Sequence, residues 1–548
     1  MARLSSIREW RPPGLSIDVS NAGSELSPGG EARIFPSFLV FALIFVSIAL
    51  LHASLLRLPY LWDEAGYYVP AARDLLLSGS LIPRSTVTNA HPPLVMAWVA
   101  LGWKLFGFTP LVAHLAMLLI ASFTLLGILR LAERVANIHV AIAATISTAL
   151  YSVFFTQSAL VHLDMAAAGF TLWGLRDYIE QRRIRTAVWF SLAALAKETA
   201  ILAPLALLIW ELICSLAPER RSSEWCLFRF SPKSVWLLVP LLPLSIWFRY
   251  HYLRTGYVFG NPEFFRYNVS ATLDLVRIVL AAGMRVWQLF GYMNLYFLTA
   301  AALLAMLRPP RSEQGVERPR IAVPVQWVFL VLIITYVLAM SVVGGAELAR
   351  YMLPVVPLLV ILSVSTLWRR VRYWTAVTAL VALAFVAALL VNPPYGFPFE
   401  DNLAYRNYVL LHRNAAEFLA MRYPRARVLT AWPASDELTR PYLGYISYPM
   451  RVRRIENFAF AEVSSAAELG SDFDVALVFS TKYLPPHSLL ARWPQWEQVE
   501  TRFFGFHRDL PPPVAAQVLG GNLVYTATRD GQWIGVIEME RVLNAPSR

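Results

Sequence analysis

The chain has 548 residues, of which 57% are hydrophobic and only 15% are charged. A mean hydropathy of +0.50 excludes an ordinary soluble globular protein. Apolar runs of roughly 18 to 23 residues fill most of positions 34–391, and each is long enough to cross the ~30 Å hydrocarbon core of a bilayer as a helix. The composition therefore predicts an α-helical integral membrane protein.

The formal net charge of +12 comes almost wholly from arginine, because lysine is rare. The arginines lie between the apolar runs and do not cluster on one soluble segment. This distribution is typical of membrane topology and of attraction to anionic lipid, and it argues against a nucleic-acid partner. The two cysteines, Cys214 and Cys226, flank one predicted cytoplasmic loop, so we expect no disulfide framework. The sequence indicates no metal site and no cofactor.

The chain divides into three segments. Residues 1–32 are polar and are predicted to be a disordered cytoplasmic tail. Residues 33–391 form a multi-spanning domain with a first external loop at 57–109. Residues 392–548 are Pro-rich and charged, and they begin with the linker NPPYGFPFEDN. We expect them to form a small extracytoplasmic α/β domain of structural or acceptor-binding role, with a helix over about 403–423 and strands at 427–432, 473–479 and 533–539.

The sequence predicts about 11 spans. They are 33–57, 110–130, 138–157, 164–181, 186–197, 198–215, 234–254, 284–307, 323–343, 349–367 and 373–391. Residues 91–106 are also apolar but begin with Pro92-Pro93, and they predict either a short span or a helix on the membrane surface. If this segment does not cross, five loops with 17 Lys and Arg in about 60 residues share one side. This bias places the N-terminus inside and the C-terminal domain outside.

Asp63 and Glu64 follow directly after the first span, at the start of a predicted surface helix that ends near Leu77. A carboxylate at this place is able to accept a proton from an attacking hydroxyl, as a general base does. An acidic residue at a helix start equally caps the helix N-terminus. The sequence alone leaves both interpretations open.

Ionisable residues inside or beside spans are functional candidates because their burial in lipid is costly. With 11 spans, the candidates all fall on the outer side: Asp63, His91, Asp164, Lys197 and Arg350. Lys197 is at the tip of a hairpin predicted over 186–215. Cations at such a surface would neutralise a lipid-linked phosphate while a carboxylate activates a hydroxyl.

Each of these residues also has a simpler interpretation. A histidine before Pro-Pro, such as His91, is more often structural than catalytic. Asp164 could pair with a cation of a neighbouring helix, and Arg350 could anchor the chain at the membrane interface. Tyrosine and tryptophan side chains stack on sugars, but they also occur commonly at membrane interfaces, and this applies to Trp62, Tyr67, Tyr68 and Tyr351.

Five motifs follow one another along the membrane domain. They are Asp63-Glu64, His91-Pro92-Pro93-Leu94, Leu163-Asp164, the Lys197 hairpin and Arg350-Tyr351-x-x-Pro354-x-x-Pro357. Over roughly residues 34–391 the set resembles the GT-C superfamily of polyprenyl-phosphate-dependent glycosyltransferases. Within that superfamily the chain is most similar to the branch of protein O-mannosyltransferases and lipid A aminoarabinose transferases.

The resemblance implies an inverting transfer of a sugar from a polyprenyl-phosphate donor to an extracytoplasmic lipid, glycan or protein acceptor. It implies an enzyme of the bacterial inner membrane. By this resemblance Asp63 would be the catalytic base, Glu64 a partner that positions the acceptor, and Lys197 and Arg350 ligands of the donor phosphate. Sugar or acceptor contacts would come from Tyr67, Asp164 and Tyr351.

The chain departs from the aminoarabinose branch at two positions. His91 stands where that branch has a lysine, so a histidine would bind the donor phosphate or hydrogen-bond the acceptor. Gly66 stands where that branch has an arginine near the acidic pair. Arg73 or Arg84 would then supply the missing positive charge to the phosphate.

A transporter or flippase of lipid-linked glycans is the rival interpretation, because it would also need charges at membrane depth. Transporters are typically built from internal repeats with paired broken helices near the membrane midplane. The sequence has no recognisable internal repeat, and its candidate residues gather at one surface. A non-enzymatic scaffold would leave Asp63, Lys197 and Arg350 unexplained. The identity of the sugar, of the acceptor and of the lipid carrier stays open.

Overall fold

A computed structural model of the chain describes residues 36–218, 224–262, 265–266, 272–468, 472–485 and 493–539. The predicted cytoplasmic tail at 1–32 lies outside the described residues.

The described part of the chain up to residue 391 is almost entirely helical. Its α-helices are α1 Ser37–Leu51, α2 Val69–Ser78, α3 Leu94–Phe106, α4 Pro110–Val135, α5 Ile138–Leu150, α6 Ser152–Gln157, α7 Asp164–Ile179, α8 Arg183–Ala196, α9 Leu202–Leu216, α10 Leu241–Thr255, α11 Leu275–Phe290, α12 Leu295–Met306, α13 Val323–Val342, α14 Val356–Arg370 and α15 Trp374–Leu390. A short antiparallel ribbon of β1 Ser312–Glu313 and β2 Val316–Glu317 joins α12 to α13.

Within the described ranges, four helical segments combine the length and the hydropathy of a membrane span. They are Pro110–Val135, Glu198–Leu216, Leu275–Met306 and Val323–Val342. Shorter apolar helices accompany them at Ser37–Leu51, Leu94–Phe106, Ile138–Leu150 and Trp374–Leu390. The protein is therefore an integral membrane protein, although these lengths do not establish the predicted number of 11 crossings.

The segment that the sequence leaves ambiguous, α3, is a helix of 13 residues. At 1.5 Å per residue it extends ~20 Å, which is short of a ~30 Å hydrocarbon core. Its Trp103 and Val99 side chains are buried against the neighbouring helices. The helix is thus packed against the bundle and is too short to cross a bilayer unaided.

Two predicted spans are interrupted in the structure. The span predicted at 284–307 begins earlier, at Leu275, and breaks between α11 and α12 because Met293 and Asn294 have left-handed φ angles of 47° and 66°. The span predicted at 138–157 breaks at Tyr151, whose ψ of 125° is extended and ends the helical hydrogen-bond ladder.

The predicted hairpin is confirmed. α8 ends at Ala196, and Lys197 adopts an extended conformation with φ −153° and ψ 130°. A single 3₁₀ turn, Glu198–Ile201, then leads into α9. This change of backbone conformation leaves Lys197 at the tip of the hairpin, between the two helices.

The predicted surface helix of the first external loop begins with a π-helical turn, Glu64–Tyr68, and continues as α2. A π-helical turn is wider than an α-helical one and occurs frequently at functional sites. Trp62, just before it, has a φ of 45°. The chain therefore bends sharply at Trp62, immediately before Asp63 and the π-helical turn.

The cysteine prediction is wrong for this structure. Cys214, near the end of α9, and Cys226 are joined by a disulfide, with their Cα atoms 5.8 Å apart. The chain returns along α9 after its C-terminal end, where the Phe230 amide donates to the Glu211 carbonyl over 3.0 Å. This return brings together two cysteines that are only 12 positions apart in sequence.

The C-terminal domain contains a five-stranded sheet in the order β4-β3-β5-β7-β6. Its described elements are α16 Ala404–Arg422, β3 Arg427–Ala431, α17 Ala434–Glu437, β4 Arg451–Ile455, α18 Phe460–Glu468, β5 Val475–Phe479, α19 Pro494–Phe504, α20 Pro512–Leu519, β6 Gly521–Arg529 and β7 Gln532–Met539. β3, β4 and β5 are parallel, whereas β7 is antiparallel to β5 and β6.

The predicted helix and the three predicted strands of this domain are confirmed. The two edge strands, β4 and β6, are not predicted by the sequence pattern. β4 is arginine-rich and largely exposed, and β6 is only partly buried. Neither strand therefore has the apolar run that a buried strand shows.

The C-terminal domain packs directly on the first external loop. The Tyr60 amide donates to the Leu443 carbonyl over 3.3 Å, and the Tyr445 hydroxyl donates to the Tyr60 carbonyl over 3.0 Å. Arg440 donates from Nη2 to the Ser85 carbonyl at 2.8 Å. These bonds fix the domain over the face of the bundle that carries the acidic pair.

Candidate functional site

A cavity of about 2020 Å³ lies between the helices and the C-terminal domain. Four parts of the membrane domain and its linker contribute to its wall: the first external loop, the hairpin tip, the segment before Arg350 and the linker after α15. Of the predicted site residues, the cavity is lined by Asp63, Tyr67, His91, Lys197, Arg350 and Tyr351, together with Tyr68 and Trp62. Glu64, Arg73 and Asp164 are not part of its wall.

Asp63 stands on the cavity wall with 20% of its side chain exposed. Its carboxylate makes no capping hydrogen bond to the helix that follows, so the capping interpretation is wrong. The carboxylate instead forms an ion pair with Nη2 of Arg350, which is 287 positions later in the sequence. Asp63 is thus a cavity-facing carboxylate held in place by a guanidinium.

Arg350 lies at the centre of what we call the Arg350 cluster, formed by Arg350, Lys197, Asp63, Asp164 and Glu400. Its Nη1 donates to both Glu400 carboxylate oxygens at 2.7 and 2.6 Å, and its Nε lies 3.3 Å from Asp164 Oδ2. The Arg350 side chain is only 2% exposed. This burial rules out the interpretation of Arg350 as an interfacial anchor.

Lys197 completes the Arg350 cluster from the hairpin tip. Its Nζ donates to Asp164 Oδ1 at 2.6 Å and lies 4.0 Å from the centre of the Tyr351 ring. Asp164 is buried beneath these two cations and does not reach the cavity. The interpretation that Asp164 pairs with neighbouring cations is confirmed, and its predicted contact with a sugar or acceptor does not fit this position.

The Arg350 cluster has more carboxylates than cations. Three carboxylates, from Asp63, Asp164 and Glu400, share two cations, so the cluster carries one excess negative charge when all five groups are ionised. Asp63 is the most exposed of the three. The ionised oxygen with the best access to a molecule in the cavity therefore belongs to Asp63.

Glu64 occupies a different environment from its neighbour. It is fully buried, and it accepts hydrogen bonds from the Leu61 amide at 2.8 Å and from the Val161 amide at 2.6 Å. His114 Nε2 lies 3.5 Å from the same carboxylate. The prediction that Glu64 positions the acceptor does not fit this burial, because the carboxylate ties the first external loop to the chain before α7.

His91 lies on the cavity wall, and its Nδ1 is 2.8 Å from Glu198 Oε2. Arg73 lies elsewhere: its guanidinium carbon is 4.5 Å from the centre of the Tyr442 ring in the C-terminal domain. Arg84 also does not line the cavity, and its backbone amide donates to Asp74 Oδ2 at 2.6 Å. The prediction that Arg73 or Arg84 supplies a cation to the site is therefore wrong for this structure.

Glu400 is a site residue that was not predicted from the sequence. It belongs to the segment NPPYGFPFEDN, which the composition identifies only as a linker. The available signal was an acidic pair in the segment that follows an apolar span, as Asp63-Glu64 follows the first span. Burial raises the pKa of Glu400, and the Arg350 guanidinium opposes that rise. Burial also raises the pKa of its neighbour Asp401 to about 7.

A second charged cluster, the Glu347 cluster, borders the same cavity and consists of Glu347, Arg277 and Arg285. Arg285 Nη2 lies 2.8 Å from one Glu347 oxygen, and Arg277 Nη2 lies 3.4 Å from the other. Arg285 also donates to the carbonyls of Met340 and Leu348 at 3.2 and 2.9 Å. The Glu347 cluster therefore holds the segment between α13 and Arg350 in place.

The structure gives a reason for the glycine at position 66. A Cβ added there would lie 2.8 Å from the indole of Trp432, a residue of the C-terminal domain that lines the cavity. No arginine side chain fits in this space while the indole occupies it. Trp432 thus fills the space that a side chain at position 66 would occupy.

Comparison with known proteins gives one family match. Residues 90–247 match the family described as dolichyl-phosphate-mannose-protein mannosyltransferase. This segment runs from just before α3 into α10 and includes His91, Asp164 and Lys197. None of the curated protein sequences compared with the chain matches it.

Solved structures resemble most of the chain. ArnT from Cupriavidus metallidurans in the apo state has a TM-score of 0.51 and 15% sequence identity, with 91% of this chain and 98% of that chain covered. ArnT from the same organism bound to undecaprenyl phosphate has a TM-score of 0.50 and 15% identity, with 91% and 97% covered. At this identity the likeness establishes the fold. The family match and the shared fold together confirm that the chain resembles the GT-C superfamily and has its architecture.

Proposed function

We propose that the protein is an inverting membrane glycosyltransferase that transfers a sugar from a polyprenyl-phosphate donor to an extracytoplasmic lipid, glycan or protein acceptor. The observation that carries the proposal is the Asp63 carboxylate on a cavity wall beside Lys197 and Arg350. A base and two cations at one surface are what such a transfer needs. Among the residues that the structure describes, nothing favours the transporter alternative.

In the proposed reaction the acceptor hydroxyl gives its proton to Asp63 as its oxygen forms a bond to the anomeric carbon of the donor sugar. The bond from that carbon to the phosphate oxygen breaks, and polyprenyl phosphate leaves with the electron pair. Attack from the face opposite the leaving group inverts the anomeric configuration. Lys197 and Arg350 stabilise the phosphate oxygen as it gains negative charge.

The walls of the cavity support a lipid-linked donor. Apolar side chains of α10 and α11 line it, including Phe248, Val279, Leu280 and Met284, while the Arg350 cluster provides a charged region. A polyprenyl-phosphate sugar has the same division into a long apolar chain and an anionic head. The solved ArnT structure with the same fold was obtained bound to undecaprenyl phosphate.

We also propose that the enzyme lies in the bacterial inner membrane with the C-terminal domain outside, as the Lys and Arg bias of the loops predicts. The test is a set of reporter fusions near residues 220, 315 and 400. A periplasm-active reporter should work at 400, and a cytoplasm-active reporter should work at 220 and 315. Activity of the cytoplasmic reporter at 400 would overturn this orientation, because the cavity lies beneath the domain that follows α15.

The activity itself is tested with the full chain reconstituted in nanodiscs. Radiolabelled polyprenyl-phosphate sugars are supplied with an extract of extracytoplasmic lipids and glycans. Wild type should release one polyprenyl phosphate for each sugar transferred, and a strain lacking the protein should accumulate the lipid-linked sugar. The absence of both results for all donors would refute the proposal.

A further inference from the structure

Trp432 connects the C-terminal domain to the site in the membrane domain. It follows β3 and lines the cavity. Its ring centre is 5.1 Å from that of Trp62, which directly precedes the acidic pair, and 6.0 Å from that of Tyr67, three residues after the pair. One aromatic residue from the C-terminal domain thus packs on two from the part of the first external loop that carries Asp63.

The first external loop leaves room for this indole. Gly66 lies inside the π-helical turn and does not have the positive φ that would require a glycine. The added Cβ would instead lie 2.8 Å from two atoms of the Trp432 ring, which is closer than real Cβ contacts come. Space for the indole, and not backbone conformation, is therefore the structural reason for glycine at position 66.

The two aromatic neighbours also fix the orientation of the indole. The Trp62 ring meets it edge to face at an interplanar angle of 76°, and the Tyr67 ring is tilted from it by 49°. Trp432 thus presents a large aromatic ring at a defined position on the cavity wall.

The proposed reaction requires a sugar ring close to the Asp63 carboxylate. The anomeric carbon must lie between the hydroxyl that Asp63 deprotonates and the phosphate that Lys197 and Arg350 bind. The donor sugar is joined to that carbon, so its ring lies against the wall next to Asp63. Sugar rings present apolar C–H faces, and large aromatic side chains are suited to cover them.

We propose that Trp432 contacts the donor sugar and is a specificity-determining residue of the transfer, so that the C-terminal domain completes the donor site. This inference rests on the proposed function. It assigns the sugar to Trp432 and the phosphate to the Arg350 cluster. The two parts of the donor are therefore recognised by two different domains of the chain.

The test compares two ligands on the full chain in nanodiscs: the polyprenyl-phosphate sugar that supports transfer, and polyprenyl phosphate alone. Trp432→Ala should weaken binding of the sugar-bearing lipid by about 2- to 12-fold, the effect of one aromatic contact, and leave binding of polyprenyl phosphate unchanged. Trp432→Phe, which keeps an aromatic ring, should restore most of the loss. Gly66→Ala should weaken the same ligand because it displaces the indole.

Trp493→Ala is the matched control, because this tryptophan of the same domain also lines the cavity but packs on Trp496. It should change binding of neither lipid. Equal weakening of both ligands by Trp432→Ala, with a lower melting temperature, would make the residue structural and overturn the inference. An unchanged donor affinity, even with a raised KM for the acceptor, would overturn it as well. If wild type binds neither lipid, the proposed function fails instead.

Discussion

Two buried charged clusters border the same cavity and have opposite compositions. In the Arg350 cluster three carboxylates share two cations, whereas in the Glu347 cluster one carboxylate pairs with two guanidiniums. The guanidiniums of the Glu347 cluster also bond to backbone carbonyls of the adjoining segment. The Arg350 cluster connects side chains from five distant parts of the chain and makes fewer bonds to backbone.

The Glu347 cluster holds the backbone in one arrangement. The groups of the Arg350 cluster, in contrast, can exchange partners. Arginine bonded to carbonyls stabilises one arrangement of a loop, because those acceptors belong to the loop itself. An excess carboxylate that faces a cavity is able to take a proton, and its cations are able to turn to an incoming phosphate. The Arg350 cluster is therefore the better candidate for chemistry, and the Glu347 cluster for support.

Arg350→Ala should have the largest effect, because it removes the cation that three carboxylates share. Breaking a buried ion pair by removing one partner typically costs about 3 to 5 kcal/mol of unfolding free energy, and transfer should be lost with it. Thermal unfolding and the transfer assay measure the two effects. Arg350→Lys should recover part of the stability. A stable and active Arg350→Ala variant would contradict the central place of Arg350.

Asp63→Asn should reduce single-turnover transfer by about 100- to 10,000-fold, the usual contribution of a general base, and leave donor binding and folding intact. The substitution keeps the size of the side chain but removes the basic oxygen. Near-normal transfer by a stable Asn variant would remove Asp63 as the base. The equivalent change at the buried neighbour, Glu64→Gln, should appear mainly as lower thermal stability because it weakens bonds to two backbone amides.

Lys197→Ala should weaken binding of polyprenyl phosphate by about 1.5 to 3 kcal/mol, the range for a hydrogen bond to a charged group. Asp164 keeps its contact with Arg350, so the protein should still fold. Lys482→Ala is the matched control: this lysine also lines the cavity, but its Nζ donates to the His507 carbonyl at 2.6 Å. If the Lys197→Ala variant keeps its affinity for polyprenyl phosphate, the role of Lys197 is only to pair with Asp164.

Glu347→Gln should give the smallest effect, a loss of about 1 to 3 kcal/mol of unfolding free energy. The amide keeps the shape of the side chain but no longer neutralises Arg277 and Arg285. Folded protein should retain most of its transfer rate, which single-turnover assays normalised to folded fraction would show. A rate loss as large as that of Asp63→Asn would place the Glu347 cluster in the chemistry and erase the distinction between the clusters.

Much of the architecture could be predicted from local sequence. Long apolar runs identify helices because a span needs about 20 residues, and the hairpin at Lys197 follows from two short runs around one charged pair. The strands at 427–432 and 473–479 were found from their apolar residues. The arginine-rich β4 was missed because an exposed edge strand has no such pattern.

The site was predictable only in part. Asp63, His91, Lys197 and Arg350 could be selected individually, because a charge beside a span is costly and needs a reason. The partners of these residues could not be selected in this way, because a local sequence pattern does not show which residues are close together in the folded chain. Asp63 and Arg350 are 287 positions apart, and Glu400 lies in a segment whose Pro-rich composition resembles a connector.

By itself, the sequence determined that this protein lies in a membrane, which ionisable residues lie at the ends of its helices and that a soluble domain follows them. Hydrophobic periodicity and charge are local properties, and they suffice for these conclusions. Tertiary structure decided that Glu64 is buried while Asp63 faces the cavity, that Arg73 lies away from it, and that Trp432 fills the space at Gly66. Those outcomes depend on which surfaces pack together, because burial and ion pairing are set by neighbours that are distant in sequence.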